Sequence, residues 1–310
     1  MSTQTHIMPK SNVDQSARRR RPRPDLSYGK QLVYQVLLLV IAFIVLFPLL
    51  WVVSLSLDPR GISRPTELNL IPPGASLAAY EKVLQQPGAN KVTFIQLALN
   101  SFQLGVGVAL FSVAIGVSAA YVFSRFEIRG RRFLMLAVLA VLMLPSIGTI
   151  APLFVLLNHI KLGDTSLRDS LLGVGLAITS GALPFSIWNL KGYIDTIPRD
   201  LEEAARIDGA TINQTFLRIV LPLAVPALAV TFFLGFLSGW TEFALSWQFL
   251  TQPSTFTLTM ALWNMTGQYA STTPWSEFSA MSLLVAGPVA IVYLALQKYI
   301  IGGLTLGSVK

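Results

Sequence analysis

Residues 198–222 read PRDLEEAARIDGATINQTFLRIVLP and join an apolar run at 171–190 to the next one, which opens at 220. Pro198 and Asp200 mark a helix start, and Asp200, Glu202 and Glu203 fill its first turn, where the positive end of the helix dipole favours carboxylates. The short helix continues through Leu201, Ala204, Ala205 and Ile207. Gly209 supplies a left-handed terminator, and Thr211 begins a second helix carrying Ile212, Phe216, Leu217 and Ile219 up to Pro222. The stretch predicts a helix, a sharp turn and a helix. Most helix connections run only a handful of residues, so a link over 191–220 is a structured element with a task of its own. Ala204 and Ala205 let a partner surface approach the backbone, and Glu203 offers a carboxylate to an arginine across that interface. The alternative is an amphipathic helix among lipid headgroups, against which the acidic start weighs where the lipid is anionic.

Around this link lie six apolar stretches, 32–57, 97–123, 133–157, 171–190, 220–247 and 278–301, each of 20 or more residues. Each is long enough to cross a hydrocarbon core as a helix. The 310 residues are 53% hydrophobic and only 12% charged, with a mean hydropathy of +0.60. A soluble domain carries roughly 25% charged residues, and a chain of this size leaves too much surface in water to hide such a surplus. The expectation is an all-α integral membrane protein with six transmembrane helices. The first stretch is too long for a signal-peptide core and no small-residue cleavage site follows it directly, so it is expected to stay as an anchor.

Orientation follows from the basic residues. The tail, 124–132, 191–218 and the C-terminal end hold 17 Lys and Arg, against 6 in 58–91, 158–170 and 248–277. Positive residues in short loops stay in the cytoplasm, which places both termini and the 191–220 link inside. Residues 1–30 are polar and carry Arg18, Arg19, Arg20, Arg21 and Arg23 with Pro22 and Pro24, a disordered tail whose arginines first of all orient the chain. An arm for nucleic acid or anionic lipid is the sharper reading of that run. The remaining basic residues punctuate apolar runs and form no groove, so the net charge of +8 does not make a nucleic-acid binder. With no cysteine and two histidines, a disulfide framework or thiolate metal site is excluded and a transition-metal centre is not expected. The chain divides into the tail, 1–30, and a transmembrane domain, 31–310.

Glu203-Ala204-Ala205, three residues, Gly209, nine residues, Ile219, one residue and Leu221-Pro222 together resemble the EAA loop of bacterial ATP-binding-cassette importer permeases. Leu99-Asn100-Ser101, Ala119-Ala120-Tyr121 with Ser124-Arg125, residues 188–198 and Gly302-Gly303-Leu304-Thr305 resemble the carbohydrate branch of that family, the maltose-type permeases of the MalG class. The resemblance covers residues 30–310. It implies the type I importer (MetI-like) permease fold in a bacterial or archaeal cell membrane, with a cytoplasmic coupling helix in 191–220. It implies an ATP-driven sugar importer in which this chain forms half of the pathway beside a second permease. Two ATPase subunits dock on the coupling loops, and an external sugar-binding protein delivers the substrate.

By the same resemblance Glu203 pairs with an arginine of the ATPase cleft and Gly209 shapes the turn, with Ala204, Ala205, Asp208, Ile219, Leu221 and Pro222 completing the docking set. The 248–277 loop reaches into the binding protein, which makes Asn264 and Gln268 candidate contacts, the alternative being a solvated turn. The tail 304–310 inserts between the ATPase subunits. No phosphate-binding loop exists, since Gly29-Lys30 lacks both the upstream glycine and the following hydroxyl residue. ATP and magnesium therefore belong to the partner subunits, and the chain is expected to bind no cofactor and to catalyse nothing itself.

Inside the spans Glu242 is the only acidic residue well within hydrocarbon, where an ionisable group faces a cavity or partner helix or serves as a hydrogen-bonded packing group. Asn100, Gln103 and Asn189 are candidates for lining the path and equally for bonding neighbouring helices. Trp240, Trp247, Trp263 and Trp275 have faces suited to sugar rings, although tryptophan gathers at membrane interfaces regardless of substrate. Competing functions are a permease of the same family for trehalose, another oligosaccharide or glycerol phosphate, and an ion-coupled secondary transporter, which commonly carries repeats and several buried charges. A membrane enzyme would need a nucleophile with a base, or paired carboxylates, and no such constellation stands in the stretches.

Overall fold

Helix α1 (Tyr28–Ser56) realises the first apolar stretch, and its side chains over 28–46 are exposed, a surface suited to lipid. The computed structural model describes residues 27–60, 70–88, 91–163, 165–266 and 272–306. Most of the expected N-terminal tail, Gln268 and residues 307–310 lie outside that set. The chain divides into a unit ending at Leu49 and a second unit from Leu50 onward.

The second unit begins with a short amphipathic helix, α2 (Ala78–Gln85), which buries Val83. Helix α3 (Phe94–Arg125) follows, with Thr93 accepting the Gln96 N–H at its start. At 1.5 Å per residue its 32 residues extend about 48 Å. The third stretch departs from expectation: the single helix foreseen over 133–157 is two, α4 (Arg131–Val141) and α5 (Ser146–His159). Pro145 has no N–H to donate and drives Leu144 away from helical backbone. The chain closes α4 with three tightened bonds, from the N–H groups of Leu142, Met143 and Leu144 to the carbonyls of Leu139, Ala140 and Val141, then starts again at Ser146.

A two-residue antiparallel hairpin, β1 (Lys161–Leu162) with β2 (Thr165–Ser166), is the one sheet among the described residues of an otherwise helical chain. Helix α6 (Leu171–Ile194) is capped by the Ser170 hydroxyl, which accepts the Gly173 N–H at 3.1 Å. The link then forms α7 (Asp200–Ile207), α8 (Ile212–Thr215), a π-helical turn over Phe216–Val220 and α9 (Leu221–Leu223). The fifth stretch also departs from a single helix. Its direction changes by 76° on entering α10 (Val225–Trp240), between Pro222 and Pro226, and it stops before α11 (Ala244–Phe249). Helices α12 (Leu258–Asn264) and α13 (Trp275–Leu306) complete the order. Among the described residues four helices, α1, α3, α6 and α13, are long and apolar enough to cross a membrane, or five spans if the bent 212–240 pair counts as one.

Helix α3 is the spine of this unit, packed against α6 and α10. A Cβ on Gly239 would stand 2.8 Å from the Gly105 Cα and 2.8 Å from the Leu104 carbonyl, and one on Gly235 would stand 2.8 Å from the Ala109 Cα. Gly235 and Gly239 on α10 thus meet Gly105 and Ala109 on α3, small residues four apart that bring two backbones together in apolar surroundings. Near the Phe94 end of α3 the core is Leu97, Phe236, Trp240, Leu258 and Met281; near its Arg125 end it is Val117, Tyr121, Ile194, Val220 and Ala224.

Candidate functional site

The 198–222 link projects from the Arg125 end of α3. Its first helix ends in a double closure: the Gly209 N–H donates to the Arg206 carbonyl at 3.0 Å and the Ala210 N–H to the Ala205 carbonyl at 2.9 Å. This needs a left-handed residue, and Gly209 sits at φ +84° with open space around it. Thr211 then starts α8 with a capping box, its hydroxyl accepting the Gln214 N–H while Gln214 Oε1 accepts the Thr211 N–H at 2.9 Å. Glu203, Ala204, Asp208 and Gly209 are exposed and Ala205 is half-buried. Ile207, at 87% exposure, stands out beside them with Ile212 and Leu217 exposed further on. Ile219 and Leu221 are half-buried where the chain re-enters the bundle, and Pro222 is exposed.

Glu202 does the opposite of Glu203. It turns inward, receiving an ion pair from Arg125 Nε and a hydrogen bond from the Tyr121 hydroxyl at 3.0 Å. The two charged side chains are 6% and 3% exposed. Arg125 also donates from Nη2 to the Ile197 carbonyl at 2.9 Å and from Nη1 to Ser124 Oγ at 3.1 Å. Ser124 donates to Asp195 Oδ1 at 2.6 Å, Lys191 pairs with Asp195 Oδ2, and Arg199 donates to the Ser124 carbonyl at 3.1 Å. Burial pushes the Asp195 carboxyl up, yet the hydrogen bonds from Lys191 and Ser124 outweigh it and hold the group below its ordinary value. The last turn of α3 thereby gathers the end of α6, the 195–199 turn and α7. The sequence places Glu202 in the first turn of a helix and Arg125 among the orienting basic residues and in the Ser124-Arg125 stretch of the family resemblance, but does not pair them. The signal for the pair was a full-length charge at the end of an apolar stretch, without its partner in sequence.

The other candidates are scattered. Asn100 is buried, and its amide donates to the Ser254 and Phe256 carbonyls at 2.7 and 2.8 Å while accepting from Gln96, so its polar atoms bond neighbouring segments. With Ser101, whose Oγ accepts the Leu258 N–H at 2.8 Å, it staples the start of α12 to α3. Gln103 is exposed on a small cavity of about 160 Å³ between α3 and α6. Asn189 donates to Thr231 Oγ1 at 3.2 Å, tying α6 to α10. Glu242 both caps α11, accepting the Leu245 and Ser246 N–H groups at 2.6 and 2.8 Å, and lines an open cavity of about 870 Å³ with Leu144, Pro145, Thr149, Ser180 and Ser238. Trp240 is no platform for a sugar: it is buried, stacks on Phe236 and donates to the Val285 carbonyl at 3.0 Å. Trp275 is half-buried in a T-shaped contact with Phe278, whereas Trp247 and Trp263 are exposed and each packs against Phe243. Asn264 is exposed at the end of α12, and Gln268 lies outside the described residues. Among the described residues no group of His, Cys, Asp and Glu is placed to hold a metal ion.

Residues 112–305 match the family model described as binding-protein-dependent transport system inner membrane component. The chain is 31% identical over 283 residues to the galactooligosaccharides transport system permease protein GanQ of Bacillus subtilis, spanning 91% of this chain and 96% of that one. It is 34% identical over 274 residues to the trehalose/maltose transport system permease protein MalG of Thermococcus litoralis, spanning 88% and 94%. Its structure resembles a chain of a bacterial ABC transporter involved in the import of the acidic polysaccharide alginate, with a TM-score of 0.70, 25% identity and coverage of 89% and 99%.

Proposed function

The chain belongs to the family of binding-protein-dependent transport system inner membrane components, and from that premise we propose that it is the permease subunit of an ATP-driven sugar importer. The observation that carries the reading is the α7–Gly209–α8 turn. It holds Glu203, Ala204 and Ile207 out from the bundle, with Ala205 half-buried beside them, on a doubly closed helix end, a shape made to fit a cleft in another protein. That partner is an ATPase subunit, since this chain has no phosphate-binding loop of its own.

The importer contains a second permease, two ATPase subunits that hold ATP and magnesium, and an extracytoplasmic binding protein. A sugar as substrate is supported by the transport systems named for the relatives, which carry galactooligosaccharides, trehalose and maltose. The chain crosses the cell membrane of a bacterium or archaeon six times with both termini in the cytoplasm, the broken α4–α5 pair and the bent 212–240 pair each serving as one crossing. The 17-to-6 division of basic residues supports that orientation. Glu242 and Gln103 line the path, and Asn264 and Gln268 meet the binding protein. Alternating access needs rigid bodies that rock about a central site, so the docking helix is the lever by which ATPase closure reaches the spans.

Glu203→Ala is expected to leave the protein in the membrane while sugar uptake falls by about tenfold or more, as for loss of a charge-assisted contact worth roughly 1.5–3 kcal/mol, and Gly209→Asp, which puts a side chain on a left-handed residue and deforms the turn, is expected to lower uptake likewise. Wild-type uptake by both variants would remove the lever.

A further inference from the structure

We propose that the buried Arg125–Glu202 pair is a positioning latch that makes α3 and the docking helix α7 move as one body during transport, a step that rests on the docking reading above. Helix α7 has eight residues, with the Ile197–Pro198 turn before it and Gly209 in open space after it. A push delivered to Glu203 on so short an element would swing the helix about its ends unless something fixed its inner face. Glu202, one residue back, is about 100° around the helix from Glu203, so one carboxylate faces the partner while the other grips the bundle.

The grip is charged and many-pointed. Arg125 Nε holds Glu202, Nη2 holds the Ile197 carbonyl and Nη1 holds Ser124, while Tyr121 reaches the second Glu202 oxygen. Arg199, at the entry to α7, returns to the Ser124 carbonyl. A buried ion pair adds little stability beyond an apolar replacement of the same size, but separating its partners strands an uncompensated charge, so the two elements that carry it resist being pulled apart. The partners are 77 residues apart, on α3 and α7, and α3 is the helix on which α6 and α10 pack. Displacement of α7 therefore enters the bundle at its central helix.

The test is made on the full complex in proteoliposomes, reading sugar transported per ATP hydrolysed. Glu202→Gln keeps the side-chain size, and the latch requires ATP hydrolysis within about twofold of wild type with roughly tenfold less sugar per ATP, the scale of an ordinary coupling energy between sites. Tyr121→Phe removes only the hydroxyl that steadies Glu202 and serves where Glu202→Gln does not assemble; it lowers the same ratio. The chain has no cysteine, so Arg125→Cys with Glu202→Cys places two thiols for a short bifunctional thiol reagent that replaces the long side chains. Cross-linking restores the ratio if α3 and α7 travel together. A role in stability alone lowers hydrolysis and transport in parallel and leaves the ratio unchanged; that result, or a cross-link that halts transport, overturns the latch. A wild-type chain that holds no ATPase subunit overturns the docking reading instead.

Discussion

Glu202 and Glu203 stand side by side in sequence, and only their angular separation on α7 decides that one is a buried ion-pair partner and the other an exposed carboxylate. Nothing in the local sequence tells them apart, because the arginine that claims Glu202 lies 77 residues earlier. The same holds for Asn100, whose amide reads equally as a pathway candidate and as a bond between segments, and whose partners, the Ser254 and Phe256 carbonyls, lie far along the chain. The Asp195 carboxyl is held below the ordinary value by Lys191 and Ser124, so the folded state favours the ionised form. The stabilisation is complete above the ordinary carboxylate range and is lost as pH falls through the lower, folded-state value. Asp195→Asn is therefore expected to lower thermal stability at pH 7 by about 0.2–1 kcal/mol, the range of a partly exposed pair, with the deficit shrinking toward acid. Melting of both proteins in detergent from neutral to acidic pH checks it, and a deficit that grows with acidity would contradict the assigned role.

At the scale of elements the local signals carry far. The acidic start of α7, the left-handed Gly209, Thr211 at the head of α8 and Pro222 beyond it each act over three or four residues, and the structure has helix, turn and helix where they point. The break between α4 and α5 was also written locally, in Pro145, but a run of apolar residues conceals it because apolarity measures length in lipid and not backbone continuity. The close approach of α3 and α10 lay equally open in the spacing of Gly235 and Gly239, although the partner helix could not be read from either glycine. Gly239→Leu must force α10 away from the Gly105 backbone and is expected to cost about 1–3 kcal/mol or more. Gly107→Ala, where a Cβ meets nothing within 4 Å, is expected to cost nothing, since alanine favours a helix interior over glycine by about 0.5–1 kcal/mol. Equal melting temperatures for the two variants would contradict the packing assigned to α10.

Across the second unit, α3 bears a polar fastening at each end. Near its start Asn100 and Ser101 hold the approach to α12; at its last turn Tyr121, Ser124 and Arg125 hold α6 and α7. Small residues between them let α10 lie along the same helix. A bundle joined in this way suits a protein that receives motion at one exposed helix and needs it carried through a membrane. The most direct test of that account is purification of the tagged chain from detergent-solubilised membranes of its host, identifying every stoichiometric partner and measuring ATP hydrolysis with candidate sugars and binding protein. A second permease and an ATPase subunit are expected in the complex, with hydrolysis stimulated by the sugar-loaded binding protein. A chain recovered alone or only with copies of itself, without hydrolysis, would contradict it.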